Sequence, residues 1–177
     1  TQKWEKSSLS VNTAYINLAP YQAVVPQNVD WNSPYQSLSG ETVYRYHFTD
    51  GIFKLYAAFD GSKFDLNQEN VNFEDKIRTD LHNNNFYLNA SYSGTIGTGW
   101  NLTSGISYGY NNNKVKYDVN DVNSAENAGQ LKLKLRKHFS NYFNLSFGAD
   151  YFMTKYNEDF DNNATIKVSN GYDSNIA

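Results

Sequence analysis

Apolar and polar residues alternate with a period of two along most of the chain, the mark of β-strands, whose successive side chains leave on opposite sides. Leu9, Val11, Thr13 and Tyr15 share one face, with Ser8, Ser10, Asn12 and Ala14 opposite. Thr42, Tyr44, Tyr46 and Phe48 oppose Val43, Arg45 and His47. After Thr49-Asp50-Gly51, Phe53, Leu55, Ala57 and Phe59 oppose Lys54, Tyr56, Ala58 and Asp60. The pattern resumes at Phe86, Leu88, Ala90 and Tyr92, and again from Trp100 through Leu102, Ser104, Ile106 and Tyr108 to Tyr110. It is sharpest in GQLKLKLRKHFSNYFNLSFGADYF, where Leu131, Leu133 and Leu135 oppose Lys132, Lys134, Arg136 and His138. Phe143, Leu145, Phe147, Ala149, Tyr151 and Met153 form the next stripe, and a further strand is expected near Ala164 in ATIKVSNG. The reading is about seven or eight strands. The stretch Asn70 to Leu81 offers a short helical face but is read as loop.

Several runs reach the ~9–11 residues that cross a bilayer at a tilt, against ~5–6 for ordinary strands. Tight connections at Thr49-Asp50-Gly51, Gly94-Thr95-Ile96-Gly97 and Ser140-Asn141 alternate with long polar ones from Ala19 to Ser39, Asn67 to Asn84 and Asn111 to Ala128. In an antiparallel meander this sorts short turns to one end and long loops to the other, as in outer-membrane barrels. Trp100 and Phe143 follow tight turns, while Tyr108, Tyr110, Tyr151 and Tyr156 lie toward the long loops, where two interfacial aromatic girdles would put them. The competing reading is a soluble β-sandwich with its apolar stripes turned inward.

Charge settles which face meets what. Lys132, Lys134 and Arg136 in hydrocarbon would cost about 2–4 kcal/mol each near the midplane, so the leucines face acyl chains and the basic residues face a wet lumen. There they meet water, acids such as Asp60 and Asp150, or a protein plug. Unpaired backbone groups are not tolerated in lipid, so such a sheet must close. The expected fold is an all-β, antiparallel transmembrane barrel domain over residues 1–177, read as a portion of a larger barrel.

Composition adds constraints. A mean hydropathy of -0.68 fits a soluble protein and a barrel with polar lumen and loops alike. No run approaches the roughly 18 apolar residues of a transmembrane helix, and TQKWEKSSLS has no apolar signal core. The absence of cysteine removes thiolate chemistry and disulfides. A net charge of -3 gives no support for nucleic-acid binding. His47, His82 and His138 fall on different elements and no serine sits in a Gly-x-Ser-x-Gly elbow, so the chain reads as a non-enzyme with no cofactor.

The segments LSVNTAYINLAPY, VPQNVDWNSPYQSLSGETVYRYHF, GIFKLYAAFDGSKFDL, NNNFYLNASYSGTIGTGWNLTSGISYGYNNNKV and GQLKLKLRKHFSNYFNLSFGADYF resemble the barrel of a TonB-dependent outer-membrane receptor of the Bacteroidetes kind. The likeness lies in hairpin rhythm and in Pro20-Tyr21, Asp30-Trp31 and Gly40-Glu41. It implies a central portion of a 22-stranded barrel without its plug domain, in the cell outer membrane. It also implies import of a scarce solute such as a ferric siderophore, energised by the inner-membrane TonB complex through a region absent from this sequence. The plug of the same parent chain, outer-membrane lipid and a small-molecule substrate are the expected partners.

Two residue sets are candidates for function. Lumen-facing Arg45, His47, Lys54, Lys132, Lys134, Arg136 and His138 would hold the plug's acidic face or guide an anionic solute, since basic walls steer anions; simple solvation and ladder pairing are the alternative. Tyr21, Trp31 and Tyr35 in the long first loop offer faces to a catechol, porphyrin or sugar, or else pack the loop on the barrel rim. Asp118, Asn120, Asp121 and Glu126 lack the central Gly and ligand order of a calcium loop, and no metal is expected. Asn89, Asn101 and Asn144 match glycosylation triplets but sit mid-strand; Asn163 is better placed and carries no weight in a bacterial chain. Two other readings stay open: a complete eight-stranded barrel with a structural or adhesive role, and a soluble ligand-binding β-domain.

Overall fold

A computed structural model describes residues 1–69, 75–140, 142–162 and 166–177. The strands are β1 (Gln2–Lys3), β2 (Ser7–Asn17), β3 (Val29–His47), β4 (Gly51–Gln68), β5 (Ile77–Ile96), β6 (Trp100–Tyr117), β7 (Asn120–Ser140), β8 (Phe143–Asn162) and β9 (Ile166–Ile176). Among the described residues one helix, α1, covers Ala19–Val24. The strands form one sheet in chain order, every neighbouring pair antiparallel. Because side chains directly opposite each other in a ladder share a face, the register tests each stripe read from the sequence. One cross-strand row runs Leu9, Tyr44, Leu55, Ala90, Ile106, Leu131 and Tyr151. The apolar stripes of seven strands therefore form one continuous face, here the Leu131 face. The opposite side is the Lys132 face.

Among the described residues no second layer covers the Leu131 face. Leu66 and Ile77 are the only buried apolar residues among those described, while Leu131 is 55% and Phe147 50% exposed. Total accessible surface is 12246 Å² for a mass of 20.2 kDa. A compact soluble monomer of that mass exposes about 8,800 Å². The sandwich reading needs a partner sheet, and the nine strands found among the described residues all belong to this one.

The strands are longer than the alternation suggested. β3 to β8 run 18 to 21 residues each. The expected long loops shrink accordingly: β6 and β7 are joined by Asp118-Val119 alone, and Ile77–Leu81, read as loop, belongs to β5. Residues 70–74, Asn141, Asn163 and Ala164 lie outside the described residues. Pairing continues through polar sequence because short amide side chains bond each other across the ladder, Asn83 to Asn113 and Asn112 to Asn123. Asp118 takes the left-handed conformation (φ 56) that Asp tolerates in a tight turn, and Gly97 and Gly99 (φ 56 and 76) do the same between β5 and β6. Helix α1, which the alternation does not predict, carries Pro20 in its first turn, with Asn17 Oδ1 accepting the Ala19 N–H at 2.9 Å.

Beyond the asparagine rows the two faces exchange character. On the Lys132 face a wholly apolar row crosses six strands: Phe64, Leu81, Val115, Val122, Phe160 and Val168. On the Leu131 face the adjacent row is charged: Asp65, Asp80, Lys116, Asp121, Asp161 and Lys167.

Two aromatic bands bound the apolar part of the Leu131 face. At the tight-turn end, Trp100 meets Phe147 (5.9 Å), Phe139 meets Phe143 (5.5 Å), and Phe48 meets Tyr46 and Tyr92 (4.7 and 6.0 Å). Lys137 Nζ stands 5.2 Å over the Trp100 ring. At the other end Phe59, Phe86 and Tyr110 share a row, and the Phe59 ring lies over Gly40, where a Cβ would sit 2.5 Å from its Cε1. The ten-residue step from Trp100 to Tyr110 corresponds to ~33 Å along the strand, or ~25 Å at the usual barrel tilt, the height of a membrane barrel's apolar band. Tyr156, grouped with this band in the sequence reading, instead lies on the Lys132 face, stacked on Tyr172 at 5.5 Å and donating to Glu158 Oε2 at 2.5 Å. Its even number on β8 sets it opposite Tyr151.

Candidate functional site

All seven basic-wall residues sit on the Lys132 face. Arg45 and Lys54 stand directly opposite each other, and the same row continues through Ser91 and Gly105 to Lys132 and Asp150. The next row toward the tight turns holds His47 and Lys134, the one after it Arg136, and the last His138. Lys132 pairs with Asp150 at 3.4 Å, Arg136 Nε donates to Ser146 Oγ at 3.1 Å, and His138 bonds the Asn144 side chain. Arg45, Lys54 and Lys134 have no ion pair among the described residues. Asp60, expected as a partner, accepts from Asn85 Nδ2 at 2.8 Å, three rows away from Lys54. Like charges directly opposite in a ladder repel, so Arg45 and Lys54 form a pair that an anion would stabilise.

Above the basic rows the same face turns acidic and amide-rich. Glu41 accepts from Asn12 Nδ2 at 2.8 Å and from the Tyr56 hydroxyl at 3.1 Å. With Asp60, Asn85 and Tyr87 these residues line a hollow of about 450 Å³. The sequence reading did not single it out. Its signal was present in the even-numbered partners of Phe53, Leu55 and Phe59, but polar residues on a strand face are ordinarily only solvated.

Trp31 and Tyr35 lie on β3 and Tyr21 on α1, so two of the three candidate aromatics belong to a strand and not to a loop. Register shifts between Trp31 and Gln36 accompany this placement. Trp31 packs edge-on against Phe64 at 6.3 Å, with Tyr35 on the same ring at 6.5 Å. Trp31 Nε1 donates to Gln27 Oε1 at 2.9 Å. Tyr21 is exposed. Trp31 and Tyr35 thus join the apolar row at the far end, while the basic wall occupies the opposite end of the face.

The charged row on the Leu131 face is internally compensated. Arg78 forks onto Asp65 with contacts of 3.0 and 2.7 Å and holds its carboxyl below the usual carboxylate range. Asp65 in turn raises Arg78, as Asp30 raises Lys76 and Asp161 raises Lys167. Asp118, Asn120, Asp121 and Glu126 are divided between a turn and two faces. No group of three His, Asp or Glu residues suited to a metal ion occurs among the described residues. Among the described residues no helix is long and apolar enough to cross a membrane, which says nothing of crossing by strands.

The fold defined by these features is an all-β meander of long antiparallel strands with one apolar face between two aromatic bands, consistent with a membrane β-strand region. Among solved structures, the chain is similar to the ferric yersiniabactin uptake receptor FyuA from Yersinia pestis, with a TM-score of 0.52 and 12% identity. The match covers 96% of this chain and 30% of that receptor. No protein-family model matches the sequence, and comparison with curated proteins finds no match.

Proposed function

We propose that this chain forms part of the barrel wall of a TonB-dependent receptor and transporter in the cell outer membrane, importing a scarce solute. The observation that carries the reading is the two-sided sheet. An unpartnered apolar face of bilayer height backs onto a face whose basic rows are only partly neutralised. The fold likeness to an outer-membrane receptor barrel supports the same reading. Lipid would cover the Leu131 face, and the Lys132 face would line the lumen against a plug domain of the same parent chain. The TonB complex would supply energy through that plug, and the role requires no catalysis by this chain.

A ferric siderophore or similar anionic chelate is the proposed substrate class. Trp31 and Tyr35 would meet the ligand first, and Tyr21 would extend that surface from α1. Arg45, Lys54 and Lys134 would attract its negative charge deeper in the lumen. The test is uptake of a radiolabelled ferric chelate by cells producing the parent protein, with Arg45→Ala, Lys54→Ala and Lys134→Ala combined. Loss of uptake with normal surface levels is expected. Unchanged uptake of every anionic chelate tried would contradict the substrate class.

A further inference from the structure

We propose that Lys63, His82 and Lys114 form a binding site for the phosphate-bearing headgroup of a lipid. The inference rests on the membrane reading above and on the cross-strand register. Lys63 pairs with His82 and His82 with Lys114, so three basic side chains stand side by side on the Leu131 face. All three are exposed. They lie two rows beyond the aromatic band of Phe59, Phe86 and Tyr110. Two rows are four residues, ~13 Å along a strand and ~10 Å in height at barrel tilt, above the hydrocarbon edge. A lysine's four-carbon stem lets its ammonium reach back toward that edge.

Between the basic row and the band lies a hollow of about 170 Å³, lined by Gly61, Lys63, His82, Asn84, Tyr15 and Leu38 among others. Gly61 leaves the floor open, and Tyr15 and Leu38 share its row on the apolar side. The hollow therefore presents apolar surface below and the Lys63 ammonium and His82 ring above, the order of acyl chain and phosphate in a leaflet. Nearby acids are already engaged: Asp65 with Arg78, and Asp80 with Arg78 and His82 at 3.9 and 3.2 Å. Lys63 and Lys114 have no ion pair among the described residues.

The test uses the parent protein reconstituted in phosphatidylcholine vesicles containing phosphatidylglycerol, measuring phosphatidylglycerol retained per protein after mild detergent extraction. At about a fivefold factor for each lysine near an anionic surface, Lys63→Gln with Lys114→Gln is expected to lower the retained affinity roughly 30-fold at low salt. Lys167→Gln, whose lysine is paired with Asp161 at 2.6 Å, is the control and keeps wild-type retention. Far-UV circular dichroism verifies that each variant is folded. Equal retention by the double variant would overturn the site while leaving membrane insertion intact. Displacement of the lipid by millimolar inorganic phosphate would overturn the lipid as its occupant. Failure of the wild type to float with vesicles would overturn insertion and the site together.

Discussion

Arg45 and Lys54 face each other across the β3–β4 ladder with no carboxylate between them, an arrangement that weakens the sheet unless something anionic occupies it. Function and stability should therefore separate here. Lys54→Glu creates a cross-strand ion pair and is expected to stabilise the folded chain by about 0.2–1 kcal/mol in a urea titration in lipid vesicles. The same substitution should reduce uptake of an anionic solute by the parent protein. A variant that loses stability would show that an unseen partner already neutralises Lys54. Asp65 gives a second residue-scale expectation. Its carboxyl is held below the usual range by Arg78, so the unfolded chain takes up its proton first as pH falls. The stabilisation is complete above the unfolded carboxylate range and is lost as pH drops through the depressed folded value. Asp65→Asn should be less stable at neutral pH and show a flatter stability profile across that acid window, read from unfolding midpoints at successive pH values.

At the scale of the strand, each long element carries two amphipathic codes in succession. β6 shows its apolar residues at even positions from Trp100 to Tyr110 and at odd positions from Val115 to Tyr117, with Asn111-Asn112-Asn113 between them. A strand leaving a bilayer meets this reversal physically: hydrocarbon outside gives way to water outside, so charge moves outward and apolar groups turn in. Leu133→Arg, inside the first code, should therefore cost about 2–4 kcal/mol of folding stability in lipid, whereas Lys132→Leu next to it should cost far less. Refolding titrations in vesicles of one composition compare the two. This layout explains how much was legible in the sequence. The stripes from Leu9 to Met153 and the shared face of the seven basic residues follow from period-two alternation alone, and the register reproduces them. The strand extensions were missed because Asn-rich sequence resembles loop when each segment is read by itself. Their pairing depends on amide contacts with a neighbouring strand, which a single segment does not reveal. Trp31 and Tyr35 were misplaced for the same reason, since their partner Phe64 lies on the next strand.

At the scale of the molecule, the nine strands of the described residues form one sheet and leave an extensive apolar surface that no other described residues cover. The central claim is that lipid covers it while the opposite side stays wet. The chain has no cysteine, so single labels are placed without background. Leu133→Cys and Lys132→Cys, each carrying a small environment-sensitive fluorophore in vesicle-reconstituted protein, put neighbouring probes on opposite faces. Brominated acyl chains should quench the label at 133 and spare that at 132, while aqueous iodide should do the reverse. Quenching of both labels by iodide and of neither by brominated lipid would contradict the account.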